Sequence, residues 1–346
     1  PSNEVSVSAH PLTVLVTGGA GYIGSHTTHQ LLAAGHRVSV IDTLYSGHRW
    51  AVPDEVDFHQ LDAGDSDAVT ALMRARRFDA VIHFAGHIVV PESVSNPAKY
   101  YQNNVVGSLK LIESCQQAGV GCFIFSSSAA VYGNPETVPV NENAPANPIN
   151  PYGRTKLITE WTLADLARRQ DSGPALRYIA LRYFNVAGAR LDGRLGQATP
   201  EATHLIKVGC EAACGQRETV SIFGTDYDTA DGTCIRDYIH VEDLANAHLQ
   251  ALDYLATGGS SKILNCGYGH GYSVREVLDT LRRVSGVNFP IRETTRRAGD
   301  PACLVSDNRA IRKVLGWVPQ YDDLELICSS ALDWERGGNL PTAQKR

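Results

Sequence analysis

The sequence lacks a basic excess and any long apolar run. Lys and Arg number 31 against 37 Asp and Glu, and the formal net charge of −6 argues against nucleic acid or an anionic membrane as the main partner. No apolar stretch approaches the roughly 18 residues that a membrane-spanning helix needs. Residues 1–11 lack the basic-then-apolar pattern of a signal peptide, so we expect a flexible leader there.

Paired cysteine motifs are also missing. The 8 cysteines are scattered without a C-x-x-C sequence, which predicts buried thiols in a reducing compartment, the cytoplasm, and no disulfide framework. Cys210 and Cys214 lie one helical turn apart, a spacing that a metal could use, but no matching His or Cys pair lies nearby. We interpret both residues, and likewise His26 and His29, as core packing and predict no metal.

What the chain does contain is an alternation of short β-branched runs with helical patterns. This alternation predicts parallel strands joined by crossover helices, an α/β fold with a doubly wound parallel (Rossmann) sheet and a smaller mixed α/β C-terminal lobe. We expect the nucleotide-binding domain to comprise residues 12–184 and about 236–268, and the substrate lobe to comprise about 185–235 and 269–346. The strands are predicted at 12–17, 37–41, 80–84, 122–126, 175–183 and 263–266, and the helices at 22–34, 97–118, from 151, 203–214, 273–284 and 308–315.

A glycine-rich turn separates the first predicted strand from the first helix. In T-G-G-A-G-Y-I-G, Gly18, Gly21 and Gly24 allow a tight turn, close approach to a pyrophosphate and close helix–strand packing. The positive end of the following helix then binds the anion. Asp42 closes the second strand, where a ribose-binding acid is expected, and its carboxylate favours NAD over NADP, although Arg49 lies near it in the sequence.

A second motif, N-P-Y-G-R-T-K, begins a helix further along the chain. Asn150 can cap this helix and Pro151 suits its first position, so that Tyr152 and Lys156 share one face. A free tyrosine has a pKa near ~10, and a neighbouring ammonium together with an oxidised nicotinamide could lower it enough for Tyr152 to act as a base. Ser128, in F-S-S-S-A-A-V-Y-G after another strand, can share its hydroxyl with Tyr152 and a substrate oxygen.

These motifs resemble the extended short-chain dehydrogenase/reductase family, and within it the family of UDP-glucose (UDP-galactose) 4-epimerases. The resemblance covers about residues 12–317 and includes V-I-H-F-A-G, Y-Y-Q-N-N, L-R-Y-F-N, R-D-Y-I-H-V-E-D-L-A and R-R-A-G-D-P. It implies an NAD-dependent, reversible inversion at C4 of a UDP-hexose through a 4-keto intermediate, within galactose metabolism. It also implies a homodimer formed by the helix that carries Tyr152 and the helix before it.

The resemblance further implies roles for residues at matching motif positions. The catalytic trio would be Ser128, Tyr152 and Lys156. The NAD contacts would be Gly18, Gly21, Tyr22, Ile23, Gly24, Asp42, Asp62, Ala63, Phe84, Ala85, Gly86, Asn103, Ser126, Tyr152, Lys156 and Tyr183. The UDP-sugar contacts would be Ser128, Tyr152, Phe184, Asn185, His204, Leu205, Arg236, Arg297 and Asp300. Both arginines suit a diphosphate because the guanidinium is planar, forked and permanently charged.

Two positions depart from the family pattern or leave it open. Ile88 stands where many family members have a lysine near the cofactor phosphates. The position that gates bulky sugar substituents falls at Leu304 or, with one gap, at Cys303, so UDP-hexoses, UDP-N-acetylhexosamines and UDP-pentoses all stay open as substrates.

Other activities are possible on the same scaffold. A 4,6-dehydratase needs an acid and a base, and relatives of that type have Asp-Glu directly after the serine or threonine where this chain has Ala129 and Ala130. A decarboxylase would need a uronate-binding arrangement that the sequence does not reveal. A catalytically inactive NAD-binding scaffold would be expected to lack Tyr152 or Lys156. The sequence therefore favours the epimerase.

Overall fold

The computed structural model describes residues 11–168, 176–297 and 300–337. The predicted leader up to residue 10 lies outside the described residues, as do the beginning of the strand predicted at 175–183 and the end of the predicted substrate lobe.

Strands and helices follow one another throughout the described residues. The strands are β1 (Thr13–Thr17), β2 (Arg37–Asp42), β3 (Asp57–Gln60), β4 (Ala80–His83), β5 (Cys122–Ser128), β6 (Arg177–Tyr183), β7 (Asn185–Ala187), β8 (Val220–Phe223), β9 (Ile235–Arg236), β10 (Tyr238–His240), β11 (Lys262–Cys266), β12 (Tyr272–Ser273), β13 (Ile291–Thr294) and β14 (Cys303–Leu304). The α-helices are α1 (Tyr22–Ala33), α2 (Ser66–Arg76), α3 (Val90–Ser95), α4 (Pro97–Tyr100), α5 (Gly107–Ala118), α6 (Pro151–Ala167), α7 (Leu205–Ala213), α8 (Val241–Ala256), α9 (Val274–Ser285), α10 (Arg309–Leu315) and α11 (Leu324–Glu335).

Seven strands form one central sheet in the order β11–β6–β5–β4–β1–β2–β3. All neighbouring strands in it are parallel. The chain progresses outward in opposite directions from β1 and β4, and open sheets of this type bind ligands at the carboxyl ends of the strands beside that reversal. The predicted doubly wound parallel sheet is confirmed.

Helices cover both faces of this sheet because alternate residues of a strand point in opposite directions. Val14 and Val16 of β1 are fully buried on one face, in a core that includes residues of α1 and α8. Leu15 is fully buried on the opposite face against α2, α5 and α6. The continuous apolar strands of the sequence therefore reflect a sheet buried on both sides.

After β6 the chain builds smaller sheets and a second group of helices. The pairs β10–β7 and β13–β8 are parallel, whereas the sheet β12–β9–β14 is mixed. Helices α7, α9 and α11 pack on one another. This arrangement agrees with the change of sequence texture that predicts a smaller mixed α/β region.

Most predicted boundaries differ from the observed ones by one or two residues, which is the usual uncertainty of helix and strand ends. The strand predicted to end at residue 41 includes Asp42, and the helix predicted at 97–118 is observed as α4, a π-helical stretch (Tyr101–Val106) and α5. Helices α2, α3, α8 and α11 are not among those predicted from the sequence, although α2, α8 and α11 are amphipathic and carry buried residues.

The cysteine and histidine pairs lie in packed surroundings. All 8 cysteines are free thiols, and Cys210 is fully buried in the core with Cys214 packed partly buried against it. His26 is buried and its Nδ1 contacts a carboxylate oxygen of Glu242. In the described parts of the chain, no group of three or more His, Cys, Asp or Glu side chains is arranged to hold a metal ion. Nor does any helix there have the length and apolar character needed to cross a membrane.

Candidate active site

The glycine turn lies at the carboxyl end of β1 and is shaped by close backbone contacts. Gly18 has a φ of +70°, and a Cβ added there would lie 2.6 Å from the Ala85 nitrogen at the end of β4. A Cβ at Gly24 would lie 2.2 Å from the Gly18 carbonyl oxygen. Helix α1 begins after Gly21 with no side-chain cap and no acidic residue in its first turn, so its first amides remain available to an anion.

Asp42 lies at the end of β2 beside this turn, where the sequence predicts the ribose-binding acid. Its carboxylate accepts hydrogen bonds from the Ala20 amide at 3.0 Å and from the Leu44 amide at 2.8 Å. Burial raises the pKa of Asp42, while these two amides and nearby His48 lower it. The two amides fix the orientation of the Asp42 carboxyl group. This group lines the cavity that extends from the glycine turn.

One cavity of about 820 Å³ extends from the glycine turn to the smaller sheets. Most of the residues predicted for the site line it, namely Gly18, Gly21, Tyr22, Ile23, Gly24, Asp42, Asp62, Ala63, Phe84, Ala85, Gly86, Asn103, Ser126, Ser128, Tyr152, Tyr183, Phe184, Asn185, His204, Arg236, Arg297 and Asp300. Lys156 and Leu205 are the predicted residues that do not line it. The cavity is therefore continuous between the predicted cofactor and substrate residues.

Tyr152 lies in the first turn of α6, and Asn150 caps that helix by accepting a 2.8 Å hydrogen bond from the Gly153 amide. Burial raises the pKa of Tyr152, and the neighbouring Ser128 hydroxyl lowers it. Ser128 is at the end of β5, where it accepts a 3.1 Å hydrogen bond from the Ala130 amide. The protein therefore brings the two hydroxyls together, and without a cofactor the phenol stays protonated.

Lys156 lies one turn further along α6 and is buried, outside the cavity lining. Its ammonium nitrogen donates a 2.7 Å hydrogen bond to the Ser126 carbonyl oxygen and lies 5.8 Å from the centre of the Tyr152 ring. Burial lowers the pKa of Lys156 to about 8, and Glu160 raises it. The predicted pairing of tyrosine and lysine on one helix face is thus present in the structure.

A buried ion pair supports this part of α6. Glu160 accepts hydrogen bonds from Arg182 Nε at 2.9 Å and Nη2 at 2.6 Å, and from the Ser127 hydroxyl at 2.5 Å. Glu160 is 1% exposed and Arg182 4% exposed. Because these contacts join α6 to β6 and β5, they fix α6 on the sheet.

Tyr183 ends β6 and meets Ser126 of the neighbouring strand. The two hydroxyl groups are hydrogen-bonded, and both residues line the cavity next to Tyr152. Burial is the main reason why the pKa of Tyr183 is raised, so its phenol stays neutral and acts as a hydrogen-bonding group.

The opposite end of the cavity contains the predicted diphosphate-binding residues. The Arg236 guanidinium donates a 2.8 Å hydrogen bond to the Pro301 carbonyl oxygen and lies 3.7 Å from an Asp300 carboxylate oxygen. Arg297 stacks on Phe223, with its guanidinium carbon 3.7 Å from the ring centre. Two guanidinium groups thus face one cavity from different segments of the chain.

His204 and Leu205 are adjacent in the sequence, but of the two only His204 lines the main cavity. The His204 Nδ1 atom lies 2.8 Å from Gln197 Nε2. Both residues line a small neighbouring cavity, and Leu205 is the first residue of α7.

Some lining residues were not found by sequence reasoning. Gln197, Thr199 and Thr203 belong to a segment without regular structure, and Tyr45 and His87 come from loops after β2 and β4. These residues belong to no recognisable motif. The only signal for them is that they lie close in the sequence to Asp42, to F-A-G or to His204.

The residues present fit a dinucleotide cofactor. Neighbouring backbone occupies the space that a Cβ at Gly18 or Gly24 would fill, the N-terminus of α1 is open, and Asp42 is fixed beside it. These are the features by which a βαβ unit holds a pyrophosphate and a ribose. Together with the pair Tyr152 and Lys156, they define a dinucleotide-dependent α/β enzyme of the short-chain dehydrogenase/reductase class.

Comparison with known proteins identifies the family. Residues 14–267 match the NAD dependent epimerase/dehydratase family, and the chain belongs to that family.

Among curated relatives, the UDP-glucose 4-epimerase of Azospirillum brasilense is 56% identical over 325 residues, covering 93% of this chain and 92% of the relative. The crystal structure of UDP-glucose 4-epimerase from Brucella ovis in complex with NAD is 45% identical, with a TM-score of 0.90 over 94% of this chain and 98% of that one. The UDP-Glc/GlcNAc 4-epimerase from Campylobacter jejuni is 52% identical, with a TM-score of 0.82 over 94% of this chain and 99% of that one.

Proposed function

We infer that this chain is an NAD-dependent UDP-glucose 4-epimerase that interconverts UDP-galactose and UDP-glucose through a bound 4-keto sugar. The observation that carries this conclusion is the convergence of Tyr152, Ser128 and the glycine turn on one cavity, with the Lys156 ammonium beneath Tyr152. Relatives that are 41–56% identical over nearly the whole chain are UDP-glucose 4-epimerases.

In this proposal Tyr152 is the catalytic base. When bound, NAD accepts the C4 hydride of the sugar and later returns it. The Tyr152 phenolate accepts the proton of the 4-hydroxyl, and Ser128 donates a hydrogen bond to the same oxygen. Lys156 favours the phenolate because its ammonium lies 5.8 Å from the centre of the Tyr152 ring. After the sugar turns over, return of the hydride to the opposite face of C4 would invert that carbon, and Tyr152 gives its proton back to the 4-oxygen.

We assign nucleotide binding to the residues at the far end of the cavity. Arg236 and Arg297 would bind the diphosphate, and Asn185, His204 and Asp300 would position the rest of the UDP-sugar. A UDP group held there leaves the hexose attached at one end only, so the 4-keto sugar can turn over without leaving. Leu205 would contribute indirectly, by packing behind His204.

The alternative activities lack support at the reacting end. Ala129 and Ala130, where a 4,6-dehydratase would need an acid and a base, both line the cavity and carry no titratable group. This favours return of the hydride to C4 over elimination from C5 and C6.

The size of the sugar substituents that the cavity accepts would be set near Leu304. Leu304 lines the cavity, whereas Cys303 precedes it on β14, and successive strand residues face opposite sides. We therefore assign the gating position to Leu304. Ile88 also lines the cavity and is 43% exposed, so the cofactor phosphates would depend on the α1 amides in place of a lysine.

We further propose the domain division, assembly and location. Residues 12–184 with about 236–268 would form the NAD-binding domain, because they supply the central sheet, and about 185–235 with 269–346 the UDP-sugar lobe. A homodimer through α5 and α6 is supported by the exposure of Leu109 and Trp161, at 37% and 58%. The free thiols support a cytoplasmic location. Analytical ultracentrifugation would test the dimer.

The decisive experiment measures C4 inversion without added cofactor. The purified protein should contain NAD and convert UDP-galactose labelled with deuterium at C4 into UDP-glucose that keeps the label. Tyr152→Phe should retain NAD but lose about 10²–10⁴-fold in kcat, the range expected for removal of a general base. Tyr254→Phe, which lies outside the cavity lining, is the matched control. Unchanged turnover in Tyr152→Phe, or loss of the label to solvent, would refute the mechanism.

A further inference from the structure

Three aromatic side chains from distant parts of the chain stack beside the active-site cavity. The His48 and Trp50 rings are 5.3 Å apart at an interplanar angle of 20°. The Trp50 and Trp334 rings are 5.7 Å apart at 28°. We call these three residues the aromatic clasp. His48 and Trp50 follow β2 and Asp42, whereas Trp334 lies near the end of α11.

The clasp contacts one segment, residues 196–204, which we call the strap. The Trp334 indole N–H donates a 3.3 Å hydrogen bond to the Gln197 carbonyl oxygen. A Cβ on Gly196 would lie 2.3 Å from the Trp334 ring, so the backbone of the strap lies flat on the indole. Four strap residues line the cavity, among them His204, whose Nδ1 lies 2.8 Å from Gln197 Nε2.

His48 joins the strap to the glycine turn. Its backbone amide donates a 2.9 Å hydrogen bond to the Ala20 carbonyl oxygen, inside the glycine turn. Its ring Nε2 lies 3.0 Å from the Ala198 carbonyl oxygen, which can only accept, so Nε2 carries the hydrogen and donates. His48 is therefore hydrogen-bonded to the glycine turn through its backbone and to the strap through its ring.

We propose that His48 is a positioning residue for the sugar nucleotide, holding the strap against the cofactor side of the cavity so that His204 faces the bound UDP. Trp50 and Trp334 keep the His48 ring in the orientation that reaches Ala198. This inference rests on the proposed function, because it takes UDP as the ligand that the strap contacts. It predicts that loss of the His48 ring weakens UDP binding more strongly than it lowers kcat.

The test uses the NAD-loaded enzyme and UDP alone as the probe, with affinity measured by calorimetry. Loss of one neutral hydrogen bond predicts that His48→Ala weakens UDP binding about fivefold and raises the KM for UDP-galactose by a similar factor. NAD content should stay stoichiometric and kcat should fall by less than twofold. His48→Gln, whose amide can donate to the Ala198 carbonyl oxygen, should restore most of the affinity.

A second variant addresses the case in which His48→Ala does not fold. Trp334→Phe keeps a stacked ring but removes the hydrogen bond to Gln197, and it should weaken UDP binding in the same direction. If the folded variants bind UDP with wild-type affinity, the proposal is overturned. It is also overturned if His48→Ala loses NAD and UDP binding equally and His48→Gln restores neither. If the wild-type enzyme itself does not bind UDP, the proposed function fails; if it binds UDP and His48→Ala binds equally well, only this inference fails.

Discussion

Replacing Lys156 with methionine tests how the protein makes Tyr152 a base. The substitution keeps an unbranched side chain of similar length and removes the ammonium that lies 5.8 Å from the centre of the Tyr152 ring. At an effective dielectric constant of about 20, two unit charges about 6 Å apart interact by about 3 kcal/mol, which corresponds to a factor of about 100 in an equilibrium. Without Lys156 the pKa of Tyr152 should therefore rise.

The consequence for activity follows from the phenolate population. Each added pKa unit lowers the phenolate fraction tenfold at a fixed pH below the pKa. At pH 7 we expect kcat of Lys156→Met to fall about 100-fold, with the rising limb of the pH–rate profile displaced to higher pH. The comparison belongs below pH 8, because burial lowers the pKa of Lys156 to about 8 and the wild-type ammonium loses its proton above that value.

The assay is conversion of UDP-galactose to UDP-glucose across a pH series, with NAD content measured for each preparation. Lys313→Met, which removes an exposed lysine on α10, is the control and should behave as wild type. A fall in kcat without displacement of the rising limb would refute the electrostatic reasoning, since it would mean that Lys156 acts only by positioning.

Stability provides a second readout of the same change. The folded-state pKa of Lys156, about 8, is below the ordinary lysine value of ~10.4. Between those pH values the unfolded chain binds more protons than the folded one, so wild-type stability should gain a contribution from this group as pH rises through the window. Urea unfolding of Lys156→Met should lack that contribution.

Other changes test the support of the site. Arg182→Met should lower the free energy of unfolding by about 3–5 kcal/mol, because it leaves the buried Glu160 carboxylate without its charged partner. In the same urea titration, Arg283→Met, which removes an exposed ion pair, should change little; equal effects would contradict the argument. Gly24→Ala should release NAD, since its Cβ would lie 2.2 Å from the Gly18 carbonyl oxygen. The absorbance of bound NAD measures this loss, with Gly121→Ala as the control because nothing lies within 4 Å of a Cβ there.

Short-range sequence patterns account for much of the site. The glycine turn, Asp42 at the end of β2, and Tyr152 with Lys156 on one face of α6 are each encoded within a few residues and appear where the patterns predict them. Strand alternation and buried apolar runs likewise predicted six of the seven strands of the central sheet, with β3 missed. The resemblance to a known family added the substrate side, where no local pattern identifies a ligand.

Long-range contacts explain what the sequence did not reveal. Arg182 and Glu160 each look like ordinary charged residues, and only the packing of α6 on β6 makes them a buried pair. Leu205 has the same motif context as His204 but does not line the main cavity.

The sequence by itself determined the α/β class, the dinucleotide turn and the tyrosine–lysine pair, because each depends on residues close together along the chain. Tertiary structure alone decided that these groups share a cavity with Arg236 and the strap, and that His48 bonds a carbonyl group 150 residues away. The physical reason is that side-chain direction and burial depend on how the helices and strands pack, which no local pattern specifies.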